Sequence, residues 1–198
     1  GQSCIGSNHI YVQRPVFDAF VEKFVAGTQS LKVGYGLEEC VEIGPLIDET
    51  GRSDALAFIA DAVGKGARLL CGGEAIDGDG VFMTPAVMTD IPAEARCLSE
   101  EIFAPVAPVL PFDTEEEVIA KANDTEYGLA AYAFTNDLNR SLRLADQLEA
   151  GTIGINESVP ATSNCPFGGF KQSGWGRELG TEGVEAYLET KHVSFGGI

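Results

Sequence analysis

The 198-residue sequence predicts an α/β fold in which helices flank a largely parallel sheet. The main observation is that short apolar and β-branched runs alternate with segments whose apolar residues recur at helical spacing. Glycines, prolines and capping residues mark the boundaries between these segments. We expect one domain over residues 1–198, because the sequence contains neither internal repeats nor a linker.

The first predicted strand covers residues 9–13, and Pro15 suits the first turn of the helix that follows. A second helix is expected over residues 49–63, ending at Gly64 and Gly66. The apolar residues of the first helix recur every three or four positions and form one face towards a core. They are Phe17, Phe20, Val21, Phe24 and Val25.

Three segments between the second and third helices favour extended structure. Residues 67–73 predict a strand that ends at a pair of glycines. Residues 81–90 and 105–112 also predict extended segments, but they contain prolines, which cannot donate to a ladder. We therefore expect these two segments not to be central strands throughout.

The third helix is predicted to begin after Thr114, whose hydroxyl suits a cap, with three glutamates in its first turn. Residues 128–135 predict a buried strand. Asp137 then begins a helix that Gly151 is expected to terminate, and residues 152–156 form a further strand.

Residues 151–180 differ in character from the rest of the chain. This stretch is rich in Gly, Ser, Asn and Pro, yet it also carries Phe167, Phe170 and Trp175. Long loops of this kind are usually functional or disordered, and the aromatic residues argue against disorder. We therefore expect a functional loop here.

The charge balance excludes some classes of partner. The net charge is −17, with 30 acidic against 13 basic residues, so neither nucleic acid nor an anionic membrane is an expected partner. The apolar runs are too short to span a bilayer, and no secretory signal is evident. We predict a cytoplasmic protein.

The cysteines favour reduced thiols over a disulfide framework, because their number is odd and they lie far apart in the sequence. They are Cys4, Cys40, Cys71, Cys97 and Cys165. No CxxC pair occurs and the sequence holds two histidines, so we expect no metal site. Cys4 lies between two glycines in GQSCIG. Taken alone, it is more often a packing residue than a nucleophile.

Five segments carry short motifs in order along the chain. They are GQSCIGSNHIYVQ, GPLID, EEIFAPV, NDTEYGLAAYAFTND and PFGGFKQSGWGRELG. Together they resemble the NAD(P)-dependent aldehyde dehydrogenases over essentially all 198 residues, and CPFGGFKQSG with the final GGI resembles the succinate-semialdehyde dehydrogenase branch. The resemblance implies oxidation of an aldehyde, with succinate semialdehyde as one candidate, to a carboxylic acid with NAD or NADP.

The resemblance also implies roles for individual residues. Cys4 corresponds to the nucleophile that forms a hemithioacetal and then a thioester, Glu101 to the residue that holds the nicotinamide ribose, and Phe103 to a residue packed near the nicotinamide. Glu178 matches a carboxylate near the path of the hydrolytic water. A salt bridge between Glu178 and Arg177 is the alternative role for this carboxylate.

Further matches concern the aldehyde. Asn156 and Phe167 match residues that line the active-site region, whereas Val159, Ala161 and Thr162 match residues that face the substrate channel. Three departures stand out: Ala161 replaces the serine usual in the semialdehyde branch, Ala104 replaces a usual glycine, and Gly6 occupies the place of a second thiol found in some members of that branch.

The resemblance implies that an NAD(P)-binding half precedes this sequence, which would then be an incomplete, C-terminal part of the catalytic domain. Residues 187–198 resemble the family's oligomerisation strand and imply a homo-oligomer, either a dimer or a tetramer. A non-catalytic binding or assembly module, with Cys4 incidental, is the main alternative. A cysteine hydrolase would need a histidine base, for which only His9 and His192 are available.

Overall fold

A computed structural model describes residues 1–197, which divide into two units, one of residues 1–122 and one from residue 123 onward. In the first unit the helices are α1 (Arg14–Ser30), α2 (Glu49–Gly64) and α3 (Glu115–Asn123), the last of which ends at the boundary. The strands are β1 (Ile10–Gln13), β2 (Arg68–Cys71), β3 (Ala75–Ile76), β4 (Phe82–Met83), β5 (Ala86–Thr89) and β6 (Val106–Phe112). A short 3₁₀ helix covers Arg96–Leu98.

Four strands form a mixed sheet in the order β1-β6-β5-β2. Strands β1 and β5 both run parallel to β6, with Ile10 opposite Val109 and Ala86 opposite Val106. Strand β2 is an antiparallel edge strand beside β5. The prediction of an α/β fold with a largely parallel sheet and flanking helices is therefore confirmed.

The prediction that prolines keep residues 105–112 out of a central strand is wrong. Strand β6 lies between β1 and β5, and Pro108 is fully buried. The two ladders occupy successive parts of the strand, because residues 106–108 pair with β5 and residues 109–112 pair with β1. Each proline thus removes a donor from one ladder at most, and the sheet tolerates it.

Helices α1 and α2 cover opposite faces of this sheet. Met88 packs in the cluster that contains Phe58 of α2, whereas Val87 packs in the cluster against Phe20 and Phe24 of α1. Successive strand residues point to opposite faces, so neighbouring residues belong to different clusters. The apolar face predicted for the first helix is confirmed.

Helix boundaries in this unit agree with the sequence signals. Helix α1 begins at Arg14, one residue before Pro15, and α2 ends at Gly64 as expected. The Thr114 hydroxyl accepts a hydrogen bond from the N–H of Glu117 at 3.2 Å, which confirms the predicted cap.

Residues 123–197 of the second unit form two small sheets and two further helices. Strand β8 (Ala130–Ala133) runs parallel to β9 (Thr152–Ile155), and β7 (Tyr127–Gly128) pairs antiparallel with β10 (Phe170–Lys171). The helices are α4 (Leu138–Gln147) and α5 (Glu182–Glu185).

Two predictions for the second unit need correction. Residues 130–133 of the strand expected to be buried are only half-buried. The helix that Asp137 caps ends at Gln147 rather than at Gly151, because the backbone is already extended at Leu148. Within that helix Leu144 is buried, whereas Leu138 and Leu142 are exposed.

Residues 187–197 form no strand in this single chain, and residue 198 of the predicted terminal strand lies outside the described residues. Pairing of this strand with another subunit and the single-domain organisation both remain predictions.

Among residues 1–197, no helix combines the length and the apolar character needed to cross a membrane. Across the same residues, no three His, Cys, Asp or Glu side chains gather as a group that could hold a metal ion.

Candidate active site

Cys4 is exposed and lies in a tight turn just before edge strand β1. The N–H of Gly6 donates to the carbonyl oxygen of Ser3 at 2.9 Å, which closes the turn around the thiol. The thiol is therefore accessible to a reactant and lies in a defined backbone turn.

The Gln2 amide joins this loop to the GPLID segment. Its Oε1 accepts a hydrogen bond from the N–H of Ile47 at 2.9 Å, and its Nε2 lies 3.5 Å from the carbonyl oxygen of Pro45. A cavity of about 190 Å³ lies beside this junction, lined by Gly1, Gln2 and Pro105 among others. Two segments that are more than 40 residues apart in sequence thus meet at the start of the loop that carries Cys4 (residues 1–8, the thiol loop).

The Asn8 amide joins the other side of the loop to the segment of the predicted cofactor residues. Asn8 Oδ1 accepts a hydrogen bond from the N–H of Ile102 at 3.0 Å. Ile102 is buried, while Glu101 and Phe103 on either side of it are exposed. Phe103 has φ +45°, a left-handed backbone that a bulky residue rarely adopts. The exposed Glu101 carboxylate and the exposed Phe103 ring therefore flank one anchored residue, Ile102.

His9 follows Asn8, and its ring is half-buried. His9 Nε2 lies 3.1 Å from the carbonyl oxygen of Cys97. A carbonyl only accepts, so Nε2 carries the hydrogen. Burial lowers the pKa of His9. The ring is thus committed to a backbone carbonyl, which weakens the hydrolase alternative.

Two other thiols are less suited to nucleophilic attack than an exposed one. Cys97 is buried and Cys71 is half-buried. Burial raises the pKa of both groups, because a thiolate loses its hydration in an apolar surrounding. Cys97 belongs to the core under α2, and Cys71 packs with the cluster under α1, so both serve as packing residues.

In the second unit the structure brings Phe167 and Glu178 together. Their backbones form an isolated antiparallel bridge, with N–H to carbonyl distances of 2.7 and 2.8 Å. The Glu178 residue is exposed. The bridge closes a loop of the sequence between two predicted site residues.

The alternative of a salt bridge between Glu178 and Arg177 is not found among the described residues. The Arg177 guanidinium donates to the carbonyl oxygens of Gly176 and Gly169, at 2.7 and 3.1 Å, and lies 5.6 Å from the centre of the Phe170 ring. Arg177 thus stabilises the backbone of its own loop, and the Glu178 carboxylate is left for another role.

Asn156 has a structural partner that the sequence did not reveal. Its Oδ1 accepts from the N–H of Thr135 at 2.9 Å, and its Nδ2 donates to the carbonyl oxygen of Thr135 at 2.8 Å. Asn156 also has φ +54°. The amide therefore fastens the end of β9 to the residues that follow β8.

The remaining predicted substrate residues lie on exposed backbone after β9. Val159, Ala161 and Thr162 are all exposed, and the Thr162 carbonyl accepts a hydrogen bond from the N–H of Cys165 at 3.2 Å. These three side chains are accessible to a ligand. Their role in binding an aldehyde stays a prediction.

Sequence reasoning missed Gln2 and Asn8. Both are amides within four residues of Cys4, which is the only signal that could have drawn attention to them. Their partners, Ile47 and Ile102, are distant in sequence, and the bonds go to backbone N–H groups that every residue type offers. The pairing could not be deduced from residue types.

The model of the aldehyde dehydrogenase family matches residues 1–193, and the chain belongs to that family.

Curated relatives include semialdehyde dehydrogenases. The chain is 46% identical over 196 residues to the succinate-semialdehyde dehydrogenase [NADP(+)] GabD of Escherichia coli, covering 99% of this chain and 41% of that protein. It is also 46% identical to the glutarate-semialdehyde dehydrogenase of Pseudomonas aeruginosa, covering 100% of this chain and 41% of that protein. The chain thus spans about two fifths of the length of these relatives.

Solved structures share the fold. An aldehyde dehydrogenase from Brucella melitensis biovar abortus matches with a TM-score of 0.93 and 48% identity, covering 96% of this chain and 39% of that one. The betaine aldehyde dehydrogenase of Staphylococcus aureus, solved in complex with NAD+, matches with a TM-score of 0.93 and 38% identity, covering 97% of this chain and 39% of that one.

Proposed function

We propose that this chain is the C-terminal catalytic part of an aldehyde dehydrogenase, in which Cys4 is the nucleophile and NAD+ or NADP+ is the oxidant that converts an aldehyde to a carboxylic acid. The observation that carries the proposal is the exposed Cys4 turn, with amides on both sides that bind two other family motifs. Because the chain spans 41% of the first relatives, the remaining machinery is assigned to sequence upstream of Gly1.

The reaction begins when the Cys4 thiolate attacks the carbonyl carbon of the aldehyde. A carbon–sulfur bond forms, and the carbonyl electron pair moves onto oxygen, giving a tetrahedral hemithioacetal. The backbone N–H of Cys4 contributes to stabilising that oxyanion. A thiol suits this role better than a hydroxyl, because a small fraction is already thiolate at neutral pH and a thioester is easily hydrolysed.

Glu101 and Phe103 fit a nicotinamide nucleoside. A carboxylate accepts hydrogen bonds from ribose hydroxyls, and an aromatic ring offers an apolar face to the base. Both side chains are exposed on either side of a residue that burial and the Asn8 bond hold in place. When bound, the nicotinamide cofactor would accept the hydride that leaves the hemithioacetal carbon of the Cys4 adduct as its carbon–oxygen double bond re-forms, which leaves a thioester on Cys4.

Hydrolysis completes the cycle at Cys4. Water adds to the thioester carbonyl, the carbon–sulfur bond breaks, and the sulfur leaves as the thiolate while the acid is released. Glu178 is assigned to the path of this water, and it is exposed and bridged to Phe167. The proton that the water loses passes to a general base, which we assign to the sequence upstream of Gly1.

A semialdehyde is the proposed class of substrate, with succinate semialdehyde as its first candidate. Two curated relatives are named for succinate semialdehyde and glutarate semialdehyde. The exposed Thr162 hydroxyl is the candidate donor to the distal carboxylate, because its neighbour Ala161 has no polar group.

We further assign the full-length enzyme to the cytoplasm as a homo-oligomer, without nucleic acid or membrane partners.

The test uses the full-length enzyme containing this chain, with NAD+ or NADP+ and a panel of aldehydes. Reduction of the cofactor should be fastest with aldehydes that carry a distal carboxylate, and Thr162→Val should raise the KM for these more than for acetaldehyde. An enzyme that reduces neither cofactor with any aldehyde would support the non-catalytic assembly module instead.

A further inference from the structure

We propose that Asn8 is a positioning residue that holds the Cys4 loop in register with the Glu101–Phe103 segment. The inference rests on the proposed function, because it concerns the spacing between the nucleophile and the cofactor-binding residues. It assigns no chemical step to Asn8 itself.

The first support is the hydrogen bond from the N–H of Ile102 to Asn8 Oδ1, at 3.0 Å. It joins residues 94 positions apart in sequence. The Ile102 side chain is packed in the core under α2. Backbone and side chain of Ile102 are thus both fixed, and the two residues whose side chains reach solvent lie directly beside it.

The second support is the backbone of Phe103. A left-handed conformation at a bulky residue costs free energy and persists only where the surroundings hold it. Ala104, which follows, is buried, and its carbonyl oxygen lies so close to Gly1 that a Cβ built on Gly1 would be 1.9 Å from it. The start of the thiol loop therefore packs directly against Ala104, at the end of the Glu101–Phe103 segment.

The third support is the residue after Asn8. The His9 ring bonds to the carbonyl oxygen of Cys97, five residues before Ile102. Residues 8–9 thus contact residues 97–102 at two points, one through an acceptor and one through a donor. The Asn8–Ile102 bond is nearer in sequence to both Cys4 and Glu101 than the His9–Cys97 bond is. We therefore assign the relative placement of Cys4 and Glu101 to Asn8.

Loss of the Asn8–Ile102 bond should slow the steps that need both the thiol loop and the Glu101–Phe103 segment. It should slow steps that need only the thiol much less. Hydride transfer requires the Cys4 adduct and the cofactor to be aligned, and a displacement of about 1 Å can cost about 100-fold in rate. Alkylation of Cys4 by iodoacetamide needs only an accessible thiol. We therefore expect a difference between these two rates.

The experiment compares Asn8→Ala, Asn8→Asp and Asn123→Ala in the full-length enzyme. Asp keeps an oxygen that accepts from Ile102. The control Asn123 makes the same kind of amide contacts, from its Nδ2 to the Gln147 carbonyl and from the Glu149 N–H to its Oδ1. Single-turnover hydride transfer, Cys4 alkylation and hydrogen exchange at the Ile102 N–H are measured for each variant.

Asn8→Ala should slow hydride transfer by about 10-fold to 100-fold, change alkylation less than about twofold, and speed exchange at Ile102. Asn8→Asp should retain hydride transfer within about threefold, and Asn123→Ala should leave the ratio of the two rates unchanged. If Asn8→Ala does not fold, Asn8→Ser, whose shorter side chain cannot span the same distance, replaces it.

Equal slowing of hydride transfer and alkylation, or no slowing of either, would overturn the positioning role. An equally slow Asn8→Asp enzyme would also overturn it, because the accepting oxygen is still present. Failure of the proposed function has a different signature: either the unsubstituted enzyme transfers no hydride from any aldehyde, or Cys4→Ala retains aldehyde oxidation, whatever the Asn8 variants do.

Discussion

Asn156 offers a direct choice between a structural and a substrate-binding role. The structure gives its amide two hydrogen bonds to the backbone of Thr135 and a left-handed backbone at φ +54°. The resemblance instead implies contact with the active-site region. We predict that substitution of Asn156 chiefly lowers the free energy of unfolding.

The magnitude follows from two separable contributions. Each side chain–backbone bond at this exposed residue contributes about 0.5–1 kcal/mol, and alanine in a left-handed conformation costs about a further 1 kcal/mol relative to glycine. Asn156→Ala should therefore destabilise by about 2–3 kcal/mol and Asn156→Gly by about 1–2 kcal/mol. Asn156→Asp keeps the acceptor and loses the donor, so it should be the mildest of the three.

Urea unfolding of the full-length enzyme and hydrogen exchange at the Thr135 N–H measure these effects, and the KM for the aldehyde is followed in parallel. The structural role predicts the order Ala, Gly, Asp from most to least destabilised, with faster exchange at Thr135. A raised KM in all three variants, with urea midpoints that do not move, would refute this reasoning.

Two further predictions concern Glu101, the predicted cofactor residue, and the acidic side chain of Asp61. Glu101→Gln should slow hydride transfer by about 10-fold without changing alkylation of Cys4, because a neutral amide binds hydroxyls more weakly; equal hydride-transfer rates would contradict this. The pKa of Asp61 is lowered by its bond to Lys65 and by the N–H of Arg96, so stability should fall as the pH drops below about 5. Urea midpoints across pH should show a weaker fall in Asp61→Asn, and identical slopes would contradict the assignment.

Local features of the fold were predictable because their signals lie within a few residues. Thr114 and Asp137 cap the helices that follow them, and α2 ends at Gly64 as its glycines indicate. The central position of β6 was not predictable from Pro108 and its neighbours, because the sequence does not show which half of a strand pairs with which partner.

The candidate site was only partly predictable. The motif around Cys4 and the Glu101 segment could be recognised by resemblance, and both occur at exposed positions. The amide contacts of Asn8 and Asn156 could not, because each joins a side chain to a backbone group brought near by the fold. Such pairings depend on tertiary structure and leave no spacing rule in the sequence.

The central claim is that Cys4 becomes covalently acylated during aldehyde oxidation. The direct measurement is a single turnover of the full-length enzyme with succinate semialdehyde and NADP+, quenched with acid, digested and mapped by mass spectrometry. The account predicts a succinyl thioester on the peptide that contains Cys4, and no acyl group and no cofactor reduction in Cys4→Ala. Aldehyde oxidation by a folded Cys4→Ala enzyme, or an acyl group on another residue during turnover, would contradict it.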